Sequence, residues 1–181
     1  MEGARQALSM PRIHSGLTMK RILLSALICI AAIGASAQLP QTTIKDAKGR
    51  PVNTATLSND GKPFVISFFA TWCKPCLREL QAIAEVYDDW RDETGMKLYL
   101  VSIDDAQNTS KVKPLADAEG WEYDLLLDPN SDFFRAMGLQ AVPHVLVVDG
   151  DGKIVHNHSG YTDGAETELI DIIRGLSKPA K

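Results

Sequence analysis

Between residues 64 and 90 the hydrophobic period of the chain changes from that of a strand to that of a helix, and two cysteines sit at the change. Phe64-Val65-Ile66-Ser67-Phe68-Phe69-Ala70 is a nearly continuous apolar run after Gly61 and Pro63, the pattern of a strand buried on both faces of a sheet. Leu80, Ile83, Ala84, Tyr87 and Trp90 then recur at helical spacing. Thr71-Trp72-Cys73-Lys74-Pro75-Cys76 therefore lies where a buried strand hands over to a helix, which commits the chain to an α/β architecture.

That position favours thiol chemistry. The first turn of a helix leaves backbone N–H groups unpaired and carries the positive end of the helix dipole, so a thiolate is stabilised there. Cys73, at or just before the helix start, is expected to be exposed and to attack as an anion, while Cys76, one turn in, faces the protein. Pro75 suits the first turn because its fixed φ is helical and its missing N–H would have had no partner. As a structural staple the pair would be poor: loop entropy gives roughly 2 kcal/mol for a closed loop of about four residues, against about 3 for fifteen. As half of a structural zinc site it would need a second pair of ligands, and the chain has no second pair of cysteines. A redox-active disulfide is the reading that fits best.

The N-terminus bears on the compartment. Met19-Lys20-Arg21 is a basic start, residues 22–33 form an apolar core, and Ala35-Ser36-Ala37 has the small-x-small pattern of a cleavage site. Residues 19–37 read as a secretory signal peptide, removed after Ala37, and residues 1–18 as an upstream extension without a role. The apolar stretch is well short of the roughly 20 residues that span a bilayer, so no stable membrane insertion is expected after cleavage. Cys29 would leave with the signal, and Cys73 and Cys76 would be the only cysteines of a mature domain at 38–181. That domain carries 15 Lys and Arg against 22 Asp and Glu, a net charge of −7. It offers no basic stripe for nucleic acid and no polybasic patch for anionic lipid.

Along the chain the pattern predicts a strand-like segment at 52–57, a strand at 64–70, a helix from 75 to about 92 and a strand at 97–103. A helix capped by Ser110 and running to Glu119 follows, with Pro114 near its first turn. A strand at 123–127 and a short helix at 131–137, stopped by Gly138, come next. Two apolar runs around Asp149-Gly150-Asp151-Gly152 predict a hairpin, and Leu169, Ile172, Ile173 and Leu176 mark a closing helix.

The Trp-Cys-Lys-Pro-Cys motif, the βαβ start, and Ala141-Val142-Pro143 leading into a hairpin resemble thioredoxin-fold proteins over about residues 40 to 178. More narrowly, the chain looks like the extracytoplasmic TlpA/ResA-like thiol-disulfide oxidoreductases. That pattern adds a helix and a strand before the second core helix, here residues 106–130. The resemblance implies a central mixed sheet flanked by helices, a cis peptide bond at Pro143 against the cysteines, and an active-site glutamate at Glu79. Glu79 lies three residues after Cys76 and so on the same helical face. Thioredoxins proper carry a buried aspartate at the position of Ser67, and its absence shifts proton handling toward Glu79.

The implied activity is thiol-disulfide exchange without a bound cofactor: Cys73 attacks a partner protein's disulfide and Cys76 resolves the mixed disulfide. Trp72, Val142, Pro143 and His144 are the candidate substrate-binding residues. A periplasmic or otherwise extracytoplasmic reductant is favoured over an oxidant, with a membrane thiol shuttle as electron donor; the family includes reductants that serve cytochrome c maturation. His144 departs from the threonine usual after the cis-proline, and with Cys73 and Cys76 it could complete a three-ligand metal site. The alternatives are therefore a metal-binding module or an interaction domain with an inert disulfide. His156 and His158 alternate on a strand and are read as a surface feature.

Overall fold

The apolar run at 64–70 becomes an interior strand of a seven-stranded mixed sheet, in a computed structural model that describes residues 38–177. The predicted signal peptide at 19–37, Cys29 and the extension at 1–18 lie outside the described residues. The strands are β1 (Thr43–Asp46), β2 (Pro51–Asn53), β3 (Phe64–Phe69), β4 (Lys97–Ser102), β5 (Asp124–Leu127), β6 (His144–Val148) and β7 (Ile154–Ser159). The helices are α1 (Lys74–Ala84), α2 (Tyr87–Thr94), α3 (Val112–Ala118), α4 (Asp132–Ala136) and α5 (Ala165–Ser177). In the sheet the order is β2-β1-β5-β4-β3-β6-β7. β3, β4 and β5 run parallel, while β6 and β7 add antiparallel on one side and β1 and β2 on the other. The expected insertion is present: α3 and β5 fill it, and β5 carries the sheet from β4 to β1.

Because strand side chains alternate, β3 feeds two separate apolar layers. Val65 and Phe69 join Leu98, Leu100, Val145 and Val147 under α1, α2, α3 and α5, the layer that also takes Cys73 and Cys76. Phe64, Ile66 and Phe68 join Tyr99, Val101, Leu146 and Val148 under α4, where Phe68 packs at 5.1 Å and 5.6 Å from the rings of Phe133 and Phe134. All six β3 residues are buried, as the unbroken apolar run requires.

Three expectations need correction, and one strand was not anticipated. The single helix from 75 to about 92 is two helices, interrupted at Val86 (φ −126°, ψ −1°). The break turns Tyr87 and Trp90 into the core: the Tyr87 hydroxyl accepts from the Leu98 amide at 3.2 Å and its ring meets Tyr123 edge-on at 4.9 Å. Neither proline nor glycine marks it, so tertiary packing decides it. The helix expected to be capped by Ser110 begins at Val112 after a 3-10 turn at Thr109–Lys111. Asp105 catches the amides of Gln107 and Asn108 first, at 3.1 Å and 2.9 Å, and tightens the chain before the helix starts. The strand-like segment at 52–57 is a strand only over Pro51–Asn53 and continues as a 3-10 turn at Thr54–Thr56. Finally β1, which no sequence signal marked, joins β2 to β5.

Two buried carboxylates hold the loops at the end of the parallel strands. Asp104, just past β4, accepts from the Thr71 amide at 2.8 Å, the Thr71 hydroxyl at 2.6 Å and the Ser102 hydroxyl at 2.9 Å. It thereby ties the residue before Trp72 to the neighbouring strand. Asp128, just past β5, accepts from the amides of Asp132 and Phe134 at 2.8 Å and 3.0 Å and caps α4. Replacing Asp104 by Ala leaves three donors without their acceptor, one of them on the loop that presents the cysteines. Asp104→Ala is expected to lower the unfolding free energy by about 3 kcal/mol in urea denaturation, and an unchanged midpoint at unchanged slope would show that the anchor carries no stability.

Candidate active site

Cys73 is the N-cap of α1, with extended backbone (φ −88°, ψ 94°), and Lys74 and Pro75 form the first turn. Its Sγ accepts from the Cys76 amide at 3.3 Å, one of the amides that a helix start leaves unpaired. The two sulfurs are bonded at 2.07 Å with the Cα atoms 5.3 Å apart. The expected asymmetry of exposure is small in this disulfide state: Cys73 is 6% exposed and Cys76 0%. Cys73 sits in the apolar layer with Cys76, while Trp72, Lys74 and Pro75 are exposed, and Trp72, at 64%, is the motif's exposed large hydrophobic side chain.

One turn after Cys76, the Glu79 side chain enters the same layer and is 4% exposed. Ser67 of β3 lies beneath it and donates to Oε2 at 3.3 Å. Across the sheet Ser67 stands opposite Leu100 of β4 and Val145 of β6, so the glutamate rests on an apolar floor. Burial disfavours the charged form and pushes the Glu79 pKa up to about 7, with the Ser67 hydrogen bond opposing the rise. Among the described residues Glu79 has no ion-pair partner. A carboxyl group that is half protonated near neutral pH, one turn from a buried cysteine, can both accept and donate a proton.

The Val142–Pro143 peptide bond is cis, as the resemblance implied. Pro143 is buried and Val142 packs against the layer that holds the cysteines. His144 is placed differently from the cysteines. It pairs with Phe68 in the antiparallel β3–β6 ladder, so strand alternation sets it on the face of Phe68, Leu146 and Val148 and not on that of Val145. It is buried, its Nε2 has no hydrogen-bond partner, and burial first and His158 second lower its pKa. Among the described residues no three His, Cys, Asp or Glu side chains are grouped to hold a metal ion, so Cys73, Cys76 and His144 do not form the three-ligand site considered from sequence.

Three residues enter the neighbourhood that sequence reasoning placed elsewhere. Asp104, just past the strand expected at 97–103, carries no signal in the sequence pattern, yet it anchors Thr71. His156 and His158, read as a surface feature, are half-buried and line a cleft with Glu79. The available signal was their period of two on the last strand, which puts both on one face; that this face looks toward Glu79 depends on the β6–β7 register. No helix among the described residues is long and apolar enough to cross a membrane.

Comparison with known proteins agrees with this geometry. A solution structure of an uncharacterized thioredoxin-like protein from Porphyromonas gingivalis is 59% identical, covers 82% of this chain and 97% of its own, and superposes with a TM-score of 0.72. The thiol-disulfide oxidoreductase ResA of Halalkalibacterium halodurans is 23% identical over 145 residues, 80% of this chain and 78% of its own length. The thioredoxin domain of a thiol-disulfide oxidoreductase from Bacteroides vulgatus is 21% identical, covers 81% of this chain and all of its own, and shares the fold with a TM-score of 0.63. The family model described as "AhpC/TSA family" matches residues 35–157. On that match, which spans more than half of its length, and on its thioredoxin-like fold, the chain belongs to the AhpC/TSA family.

Proposed function

We propose that the protein is a thiol-disulfide oxidoreductase that exchanges disulfides with partner proteins through Cys73 and Cys76. The observation that carries this reading is the Cys73–Cys76 disulfide at the N-terminus of α1 with the buried carboxyl of Glu79 one turn behind it. Relatives named thiol-disulfide oxidoreductase ResA support it. In the reduced protein the Cys73 thiolate, favoured at the helix start, attacks a partner disulfide and releases one partner thiolate. Glu79 as carboxylate then takes the proton of Cys76, whose sulfur attacks Cys73 and frees the second partner sulfur. In the reverse half-reaction a donor thiolate attacks Cys73, and Glu79 as carboxylic acid protonates the departing Cys76.

Trp72 is the exposed apolar contact for the partner, and Val142 and Pro143 supply the edge along which an extended peptide would lie. His144, turned to the other sheet face, contributes by packing beneath that edge. Nothing in the chemistry calls for a bound cofactor. The leader at 19–37 would deliver the domain at 38–181 to an extracytoplasmic space, where it would act as a reductant recharged by a membrane thiol shuttle. Cytochrome c maturation is one pathway that such a reductant would serve.

Thiol-driven insulin reduction tests the exchange reading. Cys73→Ser is expected to abolish turnover, and Cys76→Ser to accumulate mixed disulfides with partner proteins; wild type and Cys73→Ser behaving alike would overturn the reading. A Cys73–Cys76 reduction potential near the oxidising end of about −120 mV would exclude the reductant direction.

Glu79 carries a second prediction. Glu79→Gln is expected to slow turnover about 100-fold and to flatten the pH–rate profile around pH 7. The same substitution changes stability in a direction set by linkage. The folded pKa of about 7 lies above the ordinary value of 4.5, so the folded state binds the extra proton between these values. Stability therefore falls as pH rises from about 4.5 to 7 and is level above. Glu79→Gln removes this loss, and relative to wild type it should gain about 3 kcal/mol between pH 4.5 and pH 8 in denaturant titrations. Parallel stability curves for the two proteins would show that the carboxyl is not held near pH 7.

A further inference from the structure

The face of β7 that carries His156 and His158 turns toward the active site. His158 pairs across β6 with Val145, and Val145 pairs with Ser67, so His158, Val145 and Ser67 form one row across three strands. At a strand spacing of about 4.8 Å, His158 stands about 10 Å from Ser67 along that row. Glu79 lies above the Ser67 end of the row, bonded to its hydroxyl. The space between Glu79 and His158 is a cavity of about 30 Å³ lined by both, by His156, and by Glu166 and Leu169 of α5. That volume admits one or two waters, and the polar side chains around it supply the partners such waters need.

Every element packed around Glu79 brings the groups that decide how a proton would leave it. β3 contributes Ser67, α1 the cysteine pair, β7 the two histidines, and α5 Glu166 and Glu168, with Glu168 exposed at the mouth. Tyr161, in the loop before α5, donates to Glu166 Oε2 at 3.3 Å and is close enough to Glu79 to feel its charge. The histidines are half-buried, which gives them contact with solvent on one side and with the cavity on the other. The Cys76 side of Glu79, in contrast, is closed by the apolar layer. On the cavity side a proton on Glu79 meets His156, His158 and Glu166 among the apolar side chains of Ile83, Val145 and Leu169, and on the cysteine side it meets no such polar group.

We propose that this cavity is the proton port of the active site, with a water between Glu79 and His158 and with His158 as the shuttle to solvent. The inference rests on the exchange reading above. In the resolving step the Cys76–Cys73 bond forms and the Cys73–partner bond breaks; the partner sulfur is reduced and the cysteine pair oxidised. The proton of Cys76 passes to Glu79, through the water to the His158 imidazole, and to solvent, while the partner thiolate takes its own proton from solvent. The reductive half-reaction runs the same path inward. His158 touches neither cysteine, so it is a positioning and relay residue.

The test is insulin reduction by wild type, His158→Ala, Glu79→Gln and the double variant, each with and without added imidazole, at pH 7 and low buffer. His158→Ala is expected to slow turnover about tenfold, with imidazole restoring most of the loss and with the Cys73–Cys76 potential unchanged. The double variant should be no slower than Glu79→Gln alone, and imidazole should not help either of them. His158→Gln, which keeps the bulk of the side chain, should repeat the loss and guards against a folding defect in the Ala variant. A turnover in His158→Ala equal to wild type, a loss that imidazole does not restore, or a loss that adds fully to that of Glu79→Gln would each overturn the port. Wild-type protein without turnover would overturn the exchange reading itself, and the port with it.

Discussion

A carboxyl group held in an apolar layer, with a single hydroxyl as its hydrogen-bond partner, sets the conditions under which the disulfide works. Glu79 is placed there by α1, which starts at Cys73 because β3 ends at Phe69 and the chain must reverse over the sheet. Its floor is made by Ser67 between Leu100 and Val145, and helix α5 covers it with Leu169. Among the described residues no cation pairs with it, so desolvation dominates and the group stays half protonated near pH 7. A larger or charged residue at 67 would alter that balance at once, since the Ser67 side chain is fully buried.

The rest of the fold serves to keep this arrangement rigid. Two buried aspartates at the ends of β4 and β5 hold the loops on the side of the sheet where the cysteines emerge. They act through hydrogen bonds from backbone amides and, at Asp104, also from the hydroxyls of Thr71 and Ser102, and these directional bonds fix loop position more sharply than apolar contact does. The hairpin behind them is closed tightly: a Cβ at Gly150 would overlap the Gly61 carbonyl, so the turn between β6 and β7 seats directly on the loop that leads into β3. Because β6 carries both the cis-proline at its start and Val145 along the floor of Glu79, movement of this hairpin would disturb peptide contact and proton handling together.

Much of this was legible in the residue order because it depends on local patterns. The unbroken apolar run at 64–70, the CXXC spacing and Pro75 mark the strand, the turn and the helix start, each by a short-range rule. Glu79 could be assigned to the Cys76 side from helical period alone. The failures have two causes. The start of α3 is set locally, by the bonds from the amides of Gln107 and Asn108 to Asp105, whereas the break at Val86 and the presence of β1 are settled by contacts between distant segments, such as Tyr87 with Tyr123 and Lys45 with Leu127. Propensity carries no record of these contacts, and each of them outweighs a local preference of a few tenths of a kcal/mol.

By itself the sequence determined that an α/β chain would present two cysteines at a helix N-terminus with a carboxylate one turn behind, since these relations span seven residues and follow from backbone geometry. Tertiary structure decided the environment of each. Packing against β3 and β6 buried Glu79 and so raised its pKa; strand alternation turned His144 away from the cysteines; and the β6–β7 register turned His156 and His158 toward Glu79. The physical reason is that burial and facing are properties of the neighbours a side chain acquires. Here those neighbours come from both directions: β3 lies 10 to 15 residues before Glu79, and β6 and β7 lie 65 to 80 residues after it.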